Sequence, residues 1–177
     1  MAGTDAILDS AGRLFARRGI AEVEMKDIAV AAGCSRATLY RYFENRSALH
    51  TAYIHREARA VGARVAVAIA PLAREDRLLE GMVASLRLVR ENPSLSAWFT
   101  DSTMGARAAD ESEVVQAMVS GLLRSMDLPG AERRARWLVR VLTSLLIAPG
   151  RDEAEERAML AEFVIPGIVP SHPTVAP

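Results

Sequence analysis

Residues 25–43 read MKDIAVAAGCSRATLYRYF, and this stretch decides the fold. Apolar residues recur at intervals of three and four on both sides of Gly33, which predicts two short helices. Gly33 lies where the backbone must reverse, and Ser35 is a good N-cap for the second helix. The stretch therefore predicts a helix-turn-helix motif.

The second helix of this motif has an apolar side and a polar side. At about 100° per residue, Leu39 and Phe43 share one side, and Ala37, Thr38 and Arg41 lie opposite. A polar, aromatic and basic helix surface beside a tight turn is what reading of the DNA major groove requires. We therefore predict that this helix contacts base edges and phosphates.

Local charge supports the same interpretation. The whole chain has 22 basic and 22 acidic residues, so its formal net charge is zero. This balance argues against a protein that binds polyanions non-specifically over its whole surface. Between Gly33 and Arg56, however, four arginines face one glutamate, which gives a local charge of +3. The basic residues are therefore concentrated at the predicted motif.

Outward from the motif, helical periodicity predicts an all-α protein of about nine helices. The first helix has Ile7, Leu8, Ala11, Leu14 and Phe15 on one stripe, and Gly19 ends it. Asn45 caps a long helix from Arg46 to about Ala70, where Pro71 ends it. Later patterns run over about Arg74 to Glu91, Ser94 to Thr103, Glu111 to Met126, Gly130 to Ala148, and Asp152 to Phe163.

Composition bounds the class of protein. With 177 residues, 50% of them apolar and 25% charged, the chain is typical of a globular protein with a sizeable core. The one cysteine, Cys34, excludes an internal disulfide framework. Uncharged apolar stretches stay well short of the ~20 residues that span a bilayer, and no signal peptide pattern is present, so we expect a cytoplasmic protein.

Residues 7–49, ILDSAGRLFARRGIAEVEMKDIAVAAGCSRATLYRYFENRSAL, resemble the N-terminal domain of the TetR family of bacterial transcriptional regulators. The remaining residues match that family only in helix number and length. The resemblance implies a C-terminal region that binds a small molecule and dimerises, with ligand binding weakening the grip on an operator. The matching elements are Leu14-Phe15, Gly19, Asp27-Ile28-Ala29, Ala32-Gly33, Ser35, Thr38-Leu39-Tyr40, Phe43 and Ala48-Leu49.

The resemblance also implies individual roles. It gives base reading to the start of the second motif helix, and it places Lys26 at a DNA-facing position on the preceding helix. Arg46 stands where the family commonly has a lysine, beside a helix N-terminus that favours phosphate. The predicted DNA-binding residues are Lys26, Ser35, Arg36, Ala37, Thr38, Tyr40, Arg41, Tyr42 and Arg46.

The resemblance and the breaks in periodicity suggest a domain division. We expect a DNA-binding domain over residues 1–46, a connector helix over 47–70, a ligand-binding and dimerisation domain over 71–165, and a flexible tail over 166–177. The connector is the element through which a ligand would act on the DNA-binding domain.

The C-terminal region supplies large, adaptable apolar side chains that predict a ligand pocket, although each one could instead belong to an ordinary core. We expect a mainly apolar ligand with one or two polar anchors, and Arg87, Arg90 or Arg107 could add a contact to an anion. The predicted pocket residues are Met82, Leu86, Trp98, Phe99, Met104, Met118, Leu122 and Trp137.

The last two long helices predict a homodimer interface, because their apolar stripes are too large for lone surface helices. Two such helices from each subunit would form a four-helix interface with two-fold symmetry, as in the resembled family. The stripes consist of Trp137, Leu138, Val141, Leu142, Leu145 and Leu146 on the first helix, and Met159, Leu160 and Phe163 on the second.

Enzyme and metal chemistry find little support. No nucleophile elbow, phosphate-binding glycine loop or Cys/His ligand set occurs in the sequence. His50 and His55 lie five residues apart, about 140° around a helix, so they would not converge on one ion. We therefore predict no catalytic, metal or cofactor site.

The sequence thus predicts a homodimeric, ligand-responsive repressor that a small apolar molecule releases from double-stranded operator DNA. The alternative is a helical ligand-binding or protein-interaction module that has lost DNA binding.

Overall fold

A computed structural model describes residues 3–100 and 104–169. These residues form helices and no strand, which confirms the predicted all-α class. Within these ranges, every helix is too short or too polar to span a bilayer. The helices are α1 (Thr4–Arg18), α2 (Met25–Ala31), α3 (Arg36–Tyr42), α4 (Arg46–Ile69), α5 (Arg77–Arg90), α6 (Pro93–Thr100), α7 (Met104–Glu111), α8 (Glu113–Ser125), α9 (Ala131–Ile147) and α10 (Glu153–Met159), which continues through a π-helical turn (Leu160–Val164) into α11 (Ile165–Ile168).

The N-terminal core joins α1, α2, α3 and the first half of α4. Helix α6, which follows in the C-terminal half of the chain, adds Leu95 and Trp98 to this core. The N-terminal bundle therefore depends on a later helix for its closure. Its other large members include Ile7, Leu8, Phe15, Ile28, Leu39, Phe43, Leu49 and Tyr53.

An aromatic cluster lies where α6 meets α1 and α4. Trp98 is 1% exposed, and its ring centroid lies 5.7 Å from that of Phe15, 5.0 Å from that of His50 and 6.0 Å from that of Tyr53. Burial lowers the pKa of His50 to about 4 and raises the pKa of Tyr53. His50 is therefore neutral near pH 7 and is held by packing.

The C-terminal half packs α5, α8 and α9 beside the second half of α4. Its core cluster includes Leu78, Met82, Leu123 and Leu138, and the π-helical turn and α11 are anchored to it by Leu160 and Ile168, respectively.

A buried ion pair fixes α10 against α5. Glu156, whose side chain is 3% exposed, accepts hydrogen bonds from Nη1 and Nη2 of Arg90, both at 2.7 Å. The backbone N–H of Gly150 donates to the same carboxylate at 2.9 Å, and Arg90 also donates to the carbonyl of Leu145 at 3.0 Å. These contacts, above all the hydrogen bonds from Arg90, lower the pKa of Glu156.

The structure differs from the sequence prediction in two segments. Helix α7 was not predicted, because after Met104 it contains only glycine, alanine and charged residues and so lacks the repeated large apolar side chains that mark a helix face. The predicted tail from residue 166 is partly ordered, since Pro166 lies in α11 and Ile168 is 3% exposed. The tail residues 170–177 lie outside the described part of the chain.

Candidate functional sites

The helix-turn-helix motif is formed by α2, α3 and the turn between them. Gly33 has a φ of +64°, in the left-handed region that favours glycine. The hydroxyl of Ser35 caps α3 by accepting a hydrogen bond from the backbone N–H of Thr38 at 3.0 Å. Both features agree with the sequence prediction, and together they fix the direction in which α3 leaves the turn.

The outer surface of α3 is open to solvent. Arg36, Ala37 and Arg41 are exposed, and Tyr40 and Tyr42 retain 44% and 40% of their surface. The guanidinium of Arg41 lies 5.5 Å from the ring centroid of Tyr42, within the range of a cation–π contact. This surface offers two arginines and two tyrosines to a nucleic acid.

Three of the predicted DNA-contacting residues, Lys26, Ser35 and Thr38, are engaged by neighbouring side chains or backbone at the motif itself. Thr38 is half-buried, and its hydroxyl lies 2.9 Å from the hydroxyl of Ser35. The ammonium of Lys26 lies 2.9 Å from the carboxylate of Glu24, although both side chains are largely exposed. The carboxylate of Glu24 therefore partly offsets the positive charge that Lys26 would present to DNA.

Arg46 is directed inward rather than toward solvent. Its Nη2 donates hydrogen bonds to the carbonyls of Ile20 at 2.5 Å and Ala21 at 3.1 Å. The side chain therefore ties the start of α4 to the loop between α1 and α2. A phosphate contact by Arg46 would compete with these two hydrogen bonds.

Arg56 also contributes less to the basic surface than the charge count indicates. Its guanidinium pairs with Asp9 at 2.8 Å and with Glu57 at 2.9 Å. The local charge of +3 expected from the sequence is therefore reduced by partners from α1 and α4, which leaves Arg36 and Arg41 as the main exposed cations of the motif.

A cavity of about 520 Å³ lies between α4, α5, α8 and α9, with Leu95 and Phe99 of α6 and two residues of α7 at its border. Five of the predicted pocket residues line it, namely Met82, Leu86, Phe99, Met118 and Leu122. A volume of this size falls within the range of small-molecule sites in proteins.

Both tryptophans lie outside the cavity wall, contrary to the prediction. Trp98 lies in the aromatic cluster of the N-terminal core, because it is rotated by about 100° around α6 from its neighbour Phe99. Trp137 is 56% exposed on α9. The side chain of the eighth predicted residue, Met104, is not among those that the structure describes.

The three arginines suggested as anion contacts are also absent from the cavity wall. Each has a carboxylate partner instead: Arg87 lies 3.9 Å from Glu91, Arg90 lies 2.7 Å from Glu156, and Arg107 lies 2.8 Å from Glu111.

Sequence reasoning missed the wall that α4 supplies and the small residues that leave the cavity open. Ile54, Val61, Val65 and Ile69 of the connector line the cavity, and their helical spacing was a usable signal. The glycines inside helices were a second usable signal, because a glycine in a helix lowers stability unless packing requires it. A Cβ at Gly62 would lie 1.7 Å from Cε of Met118, so glycine is needed here for α4 to pack against the Met118 side chain of α8.

The predicted dimer stripe on α9 mostly packs inside the chain. Leu138 and Leu145 are 1% and 9% exposed, and Leu142 lines the cavity. Helix periodicity detected an apolar face, and that face is covered by α5 and α8. The large apolar side chains that the last helices do expose are Trp137 (56%), Ile147 (46%), Met159 (42%) and Phe163 (71%).

Within the described ranges, the structure contains no group of three or more His, Cys, Asp or Glu side chains placed to hold a metal ion.

A family model and two sequence relatives both match bacterial transcriptional regulators. Residues 7–53 match the family model described as bacterial regulatory proteins, tetR family. Two relatives from Mycobacterium tuberculosis, strains CDC 1551 / Oshkosh and ATCC 25618 / H37Rv, are named uncharacterized HTH-type transcriptional regulators. Each is 53% identical over 173 residues, which cover 94% of this chain and 86% of the relative.

Solved structures with the same fold include two repressors. The TetR family repressor AlkX from Dietzia sp. strain DQ12-45-1b, implicated in biodegradation of n-alkanes, is 25% identical with a TM-score of 0.64, covering 93% of this chain and 94% of its own. Thermus thermophilus FadR, a TetR family repressor in complex with lauroyl-CoA, is 23% identical with a TM-score of 0.69, covering 99% of both chains.

Proposed function

Because the chain belongs to the TetR family of bacterial transcriptional regulators, we propose that it is a homodimeric repressor released from operator DNA by a small apolar molecule. The observation that carries the proposal is the placement of two adjacent residues on α6. Phe99 lines the cavity, whereas Trp98 lies in the core behind the helix-turn-helix motif. The relatives are transcriptional regulators and not enzymes, and we assign no reaction to the cavity.

This placement provides a route from ligand to DNA-binding domain. A ligand that displaces Phe99 shifts α6, and Trp98 transmits the shift to α1 and α4 through its contacts with Phe15, His50 and Tyr53. Helix α4 also lines the cavity and begins directly after α3. A ligand that favours a dimer with wrongly spaced α3 helices would weaken operator binding, typically by about 5- to 150-fold.

Operator binding is tested with the DNA upstream of the protein's own coding region. We expect the ligand-free protein to bind a labelled fragment of this DNA, measured by fluorescence anisotropy, at two half-sites about one helical turn apart. Complete absence of binding to promoter fragments would instead favour the module that has lost DNA binding.

Arg36→Ala should weaken binding to the specific site by about 1–3 kcal/mol and relax the base preference at one position. The reason is that Arg36 is exposed in the first turn of α3, where side chains reach base edges. Anisotropy titrations with specific and random DNA measure the two effects. Arg64→Ala is the matched control, because it removes the same charge from an exposed position in the second half of α4.

Equal losses on specific and random DNA would contradict base reading by Arg36.

The apolar surface of the last helices supports the dimer part of the proposal. Trp137, Ile147, Met159 and Phe163 are large apolar side chains that the single chain leaves exposed. The partner that we propose for them is a second copy of the chain, because two-fold pairing would cover this surface on both copies and would place two α3 helices on one operator.

Phe163→Asp should convert the dimer into monomers at micromolar concentration, because it places a charge at the most exposed aromatic side chain of this surface. Analytical ultracentrifugation measures the change. Val67→Asp is the control, since Val67 is 77% exposed on α4 and its substitution should leave the dimer intact. A wild-type chain that sediments as a monomer, or a dimer that tolerates Phe163→Asp, would argue against this interface.

A further inference from the structure

We infer that the cavity selects a neutral lipophilic molecule and rejects an anion of the same shape, and that any polar group on this molecule acts as a hydrogen-bond donor. Alcohols, phenols and aromatic amines meet this description, whereas carboxylates and sulfonates do not. The inference rests on the proposed function in taking the cavity as the effector site.

The first argument is electrostatic. Among the described residues that line the cavity, none has an ionisable side chain. Arg90 and Arg107, which the sequence suggests as anion contacts, form ion pairs with Glu156 and Glu111 instead. An anion moved from water into this cavity would lose its hydration without gaining a cationic partner, which is strongly unfavourable.

The second argument concerns hydrogen bonding. Among the described residues that line the cavity, three carry a side-chain hydroxyl, and each hydroxyl already donates its proton to a carbonyl of its own helix. A hydroxyl in this state can still accept a hydrogen bond but has no second proton to give. A carbonyl or carboxylate oxygen of the ligand would therefore meet only acceptors among these side chains. The three bonds are Ser85 to Gly81 at 2.7 Å, Ser125 to Leu122 at 2.7 Å, and Thr143 to Arg140 at 3.0 Å.

The third argument is the shape of the wall. A Cβ at Gly121 would meet no atom within 4 Å, so this part of α8 borders open space. Met82 and Met118 line the same cavity with flexible side chains that can adapt to a ligand. The cavity can therefore accept a bulky ring system or a folded chain without breaking the helices around it.

Two fluorescent probes of the same skeleton test the charge preference in the full-length dimer. N-phenyl-1-naphthylamine is neutral and carries one N–H donor, whereas 8-anilino-1-naphthalenesulfonate adds a sulfonate to the same rings. We expect the neutral probe to bind with enhanced fluorescence and the sulfonate to bind at least about tenfold more weakly. Competition against the neutral probe at pH 8 should show the same order for decan-1-ol over decanoate.

A variant that fills the cavity tests whether the neutral probe binds there. Gly121→Leu should weaken binding of the neutral probe at least about tenfold, because the leucine side chain would occupy the open space. Ala117→Leu is the matched control, since it adds the same side chain to an exposed position of α8 and should leave probe binding unchanged. Circular dichroism and operator binding check that both variants are folded.

Sulfonate binding as tight as that of the neutral probe and equally sensitive to Gly121→Leu would overturn the inference. So would neutral-probe binding that Gly121→Leu leaves unchanged, or decanoate that competes as well as decan-1-ol. If neutral ligands bind selectively but fail to release operator DNA, the proposed function fails while the ligand preference of the cavity stands.

Discussion

Replacing Trp98 by alanine should lower the free energy of unfolding by about 3–5 kcal/mol, the usual cost of deleting a large buried aromatic side chain. Trp98 is 1% exposed and packs against Phe15, His50 and Tyr53. The substitution would remove the larger of the two side chains, Leu95 and Trp98, by which α6 joins the core behind the helix-turn-helix motif. We therefore expect operator binding to be lost as well, even without a ligand.

Urea denaturation followed by circular dichroism measures the loss of stability, and anisotropy measures the loss of DNA binding. Val67→Ala is the control, because it truncates a side chain that is 77% exposed on α4 and lies outside both the cavity wall and the proposed dimer surface, so both quantities should stay close to wild type. A Trp98→Ala protein with wild-type stability and wild-type operator affinity would show that the N-terminal bundle closes without α6.

The second large effect concerns the buried carboxylate of α10. Glu156→Gln should destabilise the protein by about 3 kcal/mol, the lower end of the cost of breaking a buried ion pair, because Arg90 remains partly exposed. The variant keeps the size of the side chain and removes its charge, so Arg90 loses its ionic partner between α5 and α10. Glu153→Gln removes the same charge from an exposed position of α10 and should have a small effect.

The pH dependence of this effect follows from the lowered pKa of Glu156. A carboxylate whose pKa is lower in the folded state stabilises the protein fully above its unfolded value of 4.5, and this contribution is lost as the pH falls through the folded pKa. Wild type and Glu156→Gln should therefore differ most at neutral pH and converge in acid. A stability difference that stays constant from pH 7 to pH 3 would contradict the assigned role of the ion pair.

Local signals in the sequence were sufficient for most of the fold. Ser35 and Asn45 cap α3 and α4 as predicted, each accepting a hydrogen bond from the backbone N–H three residues later. The apolar stripe of α1 likewise predicted which face of that helix is buried. Such features depend on residues within one or two helical turns, so they can be recognised without knowledge of the tertiary structure.

Features set by distant partners could not be predicted in this way. The hydrogen-bond acceptor of Arg46 at Ile20 lies 26 residues away in the sequence, and the carboxylate of Asp9 lies 47 residues from Arg56. Both arginines therefore counted as free cations in the sequence. The same limit applies to Trp98 and Phe99. Helical periodicity shows that these two side chains point in different directions, but it does not show which of them faces the cavity.

The glycine at the open side of the cavity also affects how this regulator can evolve. Gly121 lies inside α8, where glycine is less favourable than alanine by about 1 kcal/mol. Larger residues at this position would improve helix propensity and occupy empty volume, so selection for thermal robustness alone favours them. Under the proposed function, such variants would keep binding the operator and stop responding to the ligand. The proposal therefore predicts that a single stabilising substitution can abolish the ligand response, so that only selection for this response retains glycine at position 121.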